Sequence, residues 1–275
     1  MTETQTDTAA AGAAAPAEIV ELFPEPSRPL SPDELLARYA PPRRSEPWLR
    51  VNFIQSVDGS ATVDGLSGGL GGPADKAVFD TLRGVADVVL VGAGTARAEG
   101  YGALTVGERF VRWRRASGLP EHPAMALVSG RLDLDPASAL FAEAPVRPLV
   151  FTVASAPADA RARLAEVATV IDAGAERVDP STVLRELAGR GLAQVLCEGG
   201  PSLFGELTAA GLVDELCLTT SPMLEGGSGR RIVSAPGEGS SPRDLELGLL
   251  LRSGSMLLAR WVRPGAHGPD AGRPA

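Results

Sequence analysis

Between residues 48 and 262 the chain alternates short apolar runs with segments whose apolar residues recur at helical spacing. WLRVNFIQS (48–56), ADVVLVG (86–92), 124–129, 148–153 and the start of AQVLCEGG (193–200) have strand length and end in Gly, Pro or Ser. VATVIDAG (167–174) and DELCLTTSP (214–222) add further strands, and LELGLLLRSGSMLLARWV closes the chain as an antiparallel hairpin. Pro73 opens a helix through Arg83 that puts Ala77, Val78, Thr81 and Leu82 on one face, after a glycine-rich loop at 67–72. Helices are also predicted at 158–167, from Asp179-Pro180 to Gly191, and from Pro201 to Ala210. Ser31, Pro32 and Glu34 form a capping-box start for a short helix ahead of the first of these strands. Short apolar strands alternating with helices predict an α/β fold: a central, mostly parallel sheet with helices on both faces and an antiparallel C-terminal hairpin. One domain is expected over residues 28–263, with its core at 48–262 and disordered tails at 1–27 and 264–275.

Composition narrows the function classes. The net charge of −8 argues against a general nucleic-acid binder. Cys197 and Cys217, the two cysteines, sit inside apolar runs without C-x-x-C spacing, so buried thiols are expected and a zinc site or disulfide framework is not. No run reaches the ~18 apolar residues of a membrane span, and the acidic N-terminus lacks a signal-peptide pattern, which predicts a cytoplasmic protein with no membrane partner. His122 lies among prolines and His267 in the tail, so histidine-based acid–base chemistry is not expected.

Two strand–glycine–helix junctions carry the candidate chemistry. In VGAGTAR, Gly92 and Gly94 fit a nucleotide turn, but Arg97 stands where the Rossmann fingerprint has its third glycine. The residues alone leave both a nucleotide turn and an ordinary loop open. In CEGGPSLFGEL, Gly199 and Gly200 precede Pro201 at a helix start, where free N–H groups and the helix dipole favour a phosphate, with Ser202 as a further donor. On neighbouring parallel strands, two such turns would hold the two phosphates of a dinucleotide. Ser129 and Arg131, after a further strand, suit the 2′-phosphate of NADPH.

NFIQSVDGSA (52–61), SGGLGGPADKAVFDTLRGVADVVLVGAGT (67–95) and CEGGPSLFGELTAAGLVDEL (197–216) together resemble the reductase domain of the riboflavin-biosynthesis pyrimidine reductases, which has a dihydrofolate-reductase-like fold. The resemblance spans about residues 48–262. It implies reduction of a ribosylamino-pyrimidine 5′-phosphate to its ribitylamino form, with NADPH as cofactor and a homodimer as the assembly. It implies that Asn52, Ser67, Arg83 and Glu198 bind substrate, with Glu198 facing the pyrimidine. Ile54, Thr95, Glu99, Ser129 and the Gly200–Phe204 loop (Pro201, Ser202 and Leu203 included) match cofactor positions. Asp58 and Glu99 are the candidate proton donors for the ring-opened imine.

The chain also departs from that family. Gly107 falls where an arginine often holds the substrate phosphate, and Arg109 is the nearest substitute. The zinc-deaminase motifs H-x-E and P-C-x-x-C are missing from the sequence. Two other functions fit the same residues. One is a dihydrofolate or other pterin reductase, for which Asp75 and Asp80 lie on the appropriate helix; the other is a non-catalytic NADPH-binding protein.

Overall fold

The computed structural model describes residues 17–41, 43–234 and 242–265. β1 (Val20–Phe23) and the two-residue β2 (Arg28–Pro29) precede α1 (Pro32–Tyr39), β3 (Trp48–Ser56), α2 (Pro73–Val85) and β4 (Val88–Gly92). Then come α3 (Ala93–Ala98), α4 (Glu108–Ala116), β5 (Ala124–Val128), α5 (Ala139–Ala142), β6 (Leu149–Thr152), α6 (Ala158–Val167) and β7 (Thr169–Asp172). α7 (Pro180–Gly189), β8 (Gln194–Cys197), α8 (Pro201–Ala209), β9 (Glu215–Ser221), β10 (Glu246–Ser253) and β11 (Met256–Val262) complete the chain. All the strands join one sheet in the order β2-β1-β10-β11-β9-β3-β8-β4-β5-β6-β7. It is parallel from β9 through β3 to β7 and antiparallel from β9 outward through the hairpin to β2.

The patterning explains the two halves. Val88 to Val91 of β4 are all buried, because helices cover both faces of the parallel half. Val89 and Val91 pack with Val78 and Leu82 of α2, whereas Val88 and Leu90 pack with Leu187 of α7 and Leu207 of α8. β9 instead alternates buried and half-buried positions, as expected where one face lacks a helix. The capping box of α1 forms as the sequence predicts: Ser31 Oγ accepts from Glu34 N–H and Glu34 Oε2 from Ser31 N–H. Asp179 caps α7 by accepting the N–H groups of Ser181 and Thr182. Cys197 and Cys217 are buried, and burial pushes both thiols up, Cys197 to about 12, so neither is a nucleophile at neutral pH.

Besides the four-residue α5, which the pattern does not predict, two parts of the fold differ from the expectation. The supposed N-terminal tail includes β1, which pairs with β10; Ile19 is buried, and the buried Glu21 bonds Arg38 at 2.9 Å. Four residues on a sheet beside an Ala/Thr-rich stretch leave too short a pattern to read from composition. Residues 1–16 and 266–275 of the expected tails, His267 among them, lie outside the described residues. The second difference is α4, a polar helix that buries Phe110, Val111 and Arg114. Arg114 donates to the carbonyls of Gly84, Ala86 and Pro120, and Phe110 packs where a Cβ at Gly84 would stand. This clasp fixes the end of α2 against the start of β4.

Candidate active site

β8 and β4 are adjacent, so their glycine turns meet at the carboxyl edge of the sheet. Gly92 N–H donates to Gly199 O at 2.7 Å, joining the two turns. A Cβ at Gly92 would sit 3.6 Å from Gly200 N, and one at Gly200 would run into Thr95 Oγ1. Gly199 has φ +90°, with Phe53 filling the place a side chain would need, and the Gly199–Gly200 peptide is cis. Gly92 and Gly200 are the N-caps of α3 and α8, and neither helix start receives a side-chain cap. The result is a cradle of unclaimed N–H donors with open space over Gly94, a shape and polarity that fit a pyrophosphate.

Beside the cradle lies a cleft of about 1390 Å³. Asn52 and Ile54 from β3 line it, as do Ser67, Thr95 and Glu99, so these predicted residues do come together. Glu99 accepts from Ser67 N–H at 3.0 Å. The loop after α3 carries Tyr101 into the cleft, and α2 presents Asp75, Phe79 and Arg83 along its inner face. Arg83 grips Glu198 with two bonds of 2.7 Å, Tyr101 donates to Glu198 Oε2 at 2.7 Å, and the guanidinium sits 4.2 Å from the centre of the Phe79 ring. Burial beside Glu198 raises the Tyr101 hydroxyl far above its ordinary range, so it stays a donor.

This arrangement corrects several expectations. Glu198 holds Arg83 through both oxygens and accepts from Tyr101 at Oε2, so the carboxylate anchors Arg83, and the acceptor capacity left for the expected pyrimidine contact is on Oε1. Asp58 is outside the cleft wall. It accepts from the Ser56 hydroxyl and from Glu225 and Gly226 N–H, which hold its carboxyl down at about 2. An ionised loop clamp is not a proton donor. Arg109 is bound to Pro32 O and Asp33, away from the cleft, so it does not replace the arginine missing at Gly107. Phe204 is buried and stacks on Phe53 at 5.2 Å, a packing role, while Pro201, Ser202 and Leu203 line the cleft. Ser129 and Arg131 follow β5, outside the cleft wall; Ser129 is buried and its N–H donates to Phe151 O, whereas Arg131 is exposed. Among the described residues no cluster of metal-ligating side chains occurs and no helix is long and apolar enough to cross a membrane.

Tyr101 and Phe79 were not singled out from the sequence. Phe79 stands four residues before Arg83, a spacing that stacks side chains on one helix face and could have revealed it. Tyr101, flanked by Gly100 and Gly102, had no periodic signal.

The family model described as the RibD C-terminal domain matches residues 47–253. A 2,5-diamino-6-ribosylamino-4(3H)-pyrimidinone 5′-phosphate reductase of Archaeoglobus fulgidus is 30% identical over 183 residues, covering 66% of this chain and 83% of its own. The enzyme of that name from Methanothermobacter thermautotrophicus is 30% identical over 195 residues, covering 70% and 85%. Among solved structures, a pyrimidine reductase-like protein from Corynebacterium diphtheriae superposes with a TM-score of 0.78 at 29% identity, over 85% of this chain and 98% of that one.

Proposed function

The chain belongs to the RibD C-terminal domain family, and from that premise we propose that it is an NADPH-dependent reductase of a ribosylamino-pyrimidine 5′-phosphate, of the riboflavin-biosynthesis type. The observation that carries the reading is the joined pair of uncapped glycine turns opening onto a cleft with a pre-formed Arg83–Glu198 clamp. The turns at Gly92–Thr95 and Gly200–Ser202 would hold the cofactor pyrophosphate. Bound NADPH supplies the hydride for C1′ of the substrate. The protein's part is to orient and to exclude water: Ile54 and Phe53 floor the cleft. Arg83, held flat against Phe79 by Glu198, presents a fixed cation to the sugar-phosphate half. Glu99 has one oxygen on Ser67 N–H, and the other has no partner among the described residues. From there its free oxygen can orient a water whose proton goes to the nitrogen bonded to C1′ as the hydride adds to C1′.

Preference for NADPH over NADH rests on Arg131, exposed after β5, the strand next to β4. In NADPH-oxidation assays, the ribosylamino-pyrimidine phosphate is expected to turn over and dihydrofolate is not. Arg131→Ala should narrow the cofactor preference by about 1–3 kcal/mol. Equal kcat/KM with NADH, or turnover of dihydrofolate alone, contradicts the reading.

A homodimer is supported by the helix-free face of the antiparallel half. Leu218, Ala259 and Leu250 are consecutive cross-strand neighbours there, flanked by Leu257 and Trp261. All five are half-buried or exposed. Sedimentation velocity should give a dimer that Trp261→Asp converts to monomer; a monomeric wild type refutes it.

A further inference from the structure

Three cationic side chains line the cleft: Lys76, Arg83 and Arg230. The charge of Arg83 is balanced by Glu198, and Lys76 pairs with Asp80 at 2.7 Å. Arg230 differs from both. It is exposed on the cleft wall, and no ion pair or side-chain hydrogen bond among the described residues engages its guanidinium. Its backbone, by contrast, is pinned. Met223 O accepts from Val57 N–H at 2.9 Å, and Asp58 accepts from Glu225 and Gly226 N–H. Gly229 lies so close to the loop after β3 that a Cβ there would run into Ser60 Oγ. Arg230 O then accepts from Ala61 N–H at 2.7 Å, and Ser234 N–H donates to Pro201 O at 3.0 Å. Ile232 and Val233 pack on the core between these last two bonds. Residues 223–234 are thus tied down from the loop after β3 to the start of α8, with a free cation on a fixed stem. Such a stem leaves little backbone freedom to lose when an anion binds.

We propose that Arg230 binds the 5′-phosphate of the substrate. The inference rests on the reading of the cleft as a ribosylamino-pyrimidine phosphate site. A phosphomonoester carries about −1.5 to −2 charges at neutral pH. The Arg83–Glu198 pair is neutral as a whole, and Glu99 adds a carboxylate to the wall, so a phosphate needs a further cation there. Arg109 does not supply it, being tied to Pro32 and Asp33. Arg83 orients the sugar-phosphate half through its fixed plane, and Arg230 adds the charge. Its planar fork also offers parallel N–H donors to two phosphate oxygens. The cofactor pyrophosphate would have its own donors at the ends of β8 and β4, whereas Arg230 enters from beside Ala61, in the loop after β3.

The test is calorimetric binding to the full chain loaded with NADPH. The ligands are the ribitylamino-pyrimidine 5′-phosphate, the product of the proposed reaction, and the same compound without its phosphate. Wild type should bind the phosphorylated ligand about tenfold or more tighter. Arg230→Ala should lose most of that ratio by weakening the phosphorylated ligand alone. Arg230→Lys, which keeps the charge but not the planar fork, should keep part of it. NADPH affinity and melting temperature should stay at wild-type values in both variants, because the segment is held by its backbone. A purely structural role would weaken both ligands together and leave the ratio unmoved, which overturns the proposal, as does a loss confined to NADPH. If wild type shows the ratio and Arg230→Ala keeps it, the substrate reading stands and Arg230 falls. If wild type binds neither ligand while it binds NADPH, the reading of the cleft falls and the proposal with it.

Discussion

Gly200→Val is expected to raise the Kd for NADPH by about a hundredfold or more, corresponding to loss of one or two charge-assisted bonds from the cradle. The cause is local. A Cβ at this position drives into Thr95 Oγ1, and two further methyl groups would occupy the space left for the pyrophosphate. Backbone conformation is not the reason, since Gly200 has φ −77° and a β-branched residue tolerates that. The left-handed residue is Gly199. The overlap also overpacks a buried turn, so stability should fall by about 1–3 kcal/mol while the protein still folds. Replacing Thr95 with alanine in the Gly200→Ala background removes the overlapped hydroxyl and should recover part of the affinity. A Gly200→Val protein that folds and binds NADPH with unaltered Kd would reduce the glycine pair to a tight turn with no ligand.

Glu198→Ala is expected to cost about 3–5 kcal/mol of stability, the range for stripping one partner from a buried ion pair. The Glu198 side chain is 2% exposed and Arg83 only 20%, so the guanidinium left behind has little water to turn to. Removing both, as Arg83→Ala with Glu198→Ala, should be less destabilising than Glu198→Ala alone, because no unpaired charge remains. Glu198→Gln keeps one acceptor for Arg83 and should fold. Its kcat/KM should still fall strongly, because Arg83 loses the second bond that fixes its plane. Its NADPH affinity should be nearly unchanged, since the cradle is built from other residues. Thermal melts and steady-state kinetics on the three proteins measure all of this. Wild-type melting and turnover in Glu198→Ala would remove the clamp from the account.

What the sequence made legible follows from what each signal measures. Period and punctuation report burial and turns, so the parallel half, the C-terminal hairpin and the caps Ser31 and Asp179 could be read directly. Strand alternation leaves open whether the two glycine turns are neighbours, and the sheet order places them side by side. Hydrogen-bond saturation has no such signature. Asp58 lies close after β3 in sequence, yet its carboxylate turns to the N–H groups of Glu225 and Gly226, a contact 167 and 168 residues away. Glu198 ends a buried strand and so demands a partner; that Arg83 is one follows from the approach of α2, which no sequence spacing shows. Tyr101 reaches Glu198 from 97 residues away, through a loop no periodicity could aim. β1 and α4 escaped for the opposite reason: one is too short, the other too polar, to carry a pattern.

The central claim is hydride reduction at the sugar carbon inside this cleft. Incubating the protein with NADPH carrying deuterium at C4 of the nicotinamide, in turn on each face, and the ribosylamino-pyrimidine 5′-phosphate tests it most directly. Mass spectrometry of the product should show a ribitylamino pyrimidine with one deuterium retained at C1′ from one labelled face and none from the other. A product without label from either face, or no ribityl product while NADPH binds normally, would contradict the account.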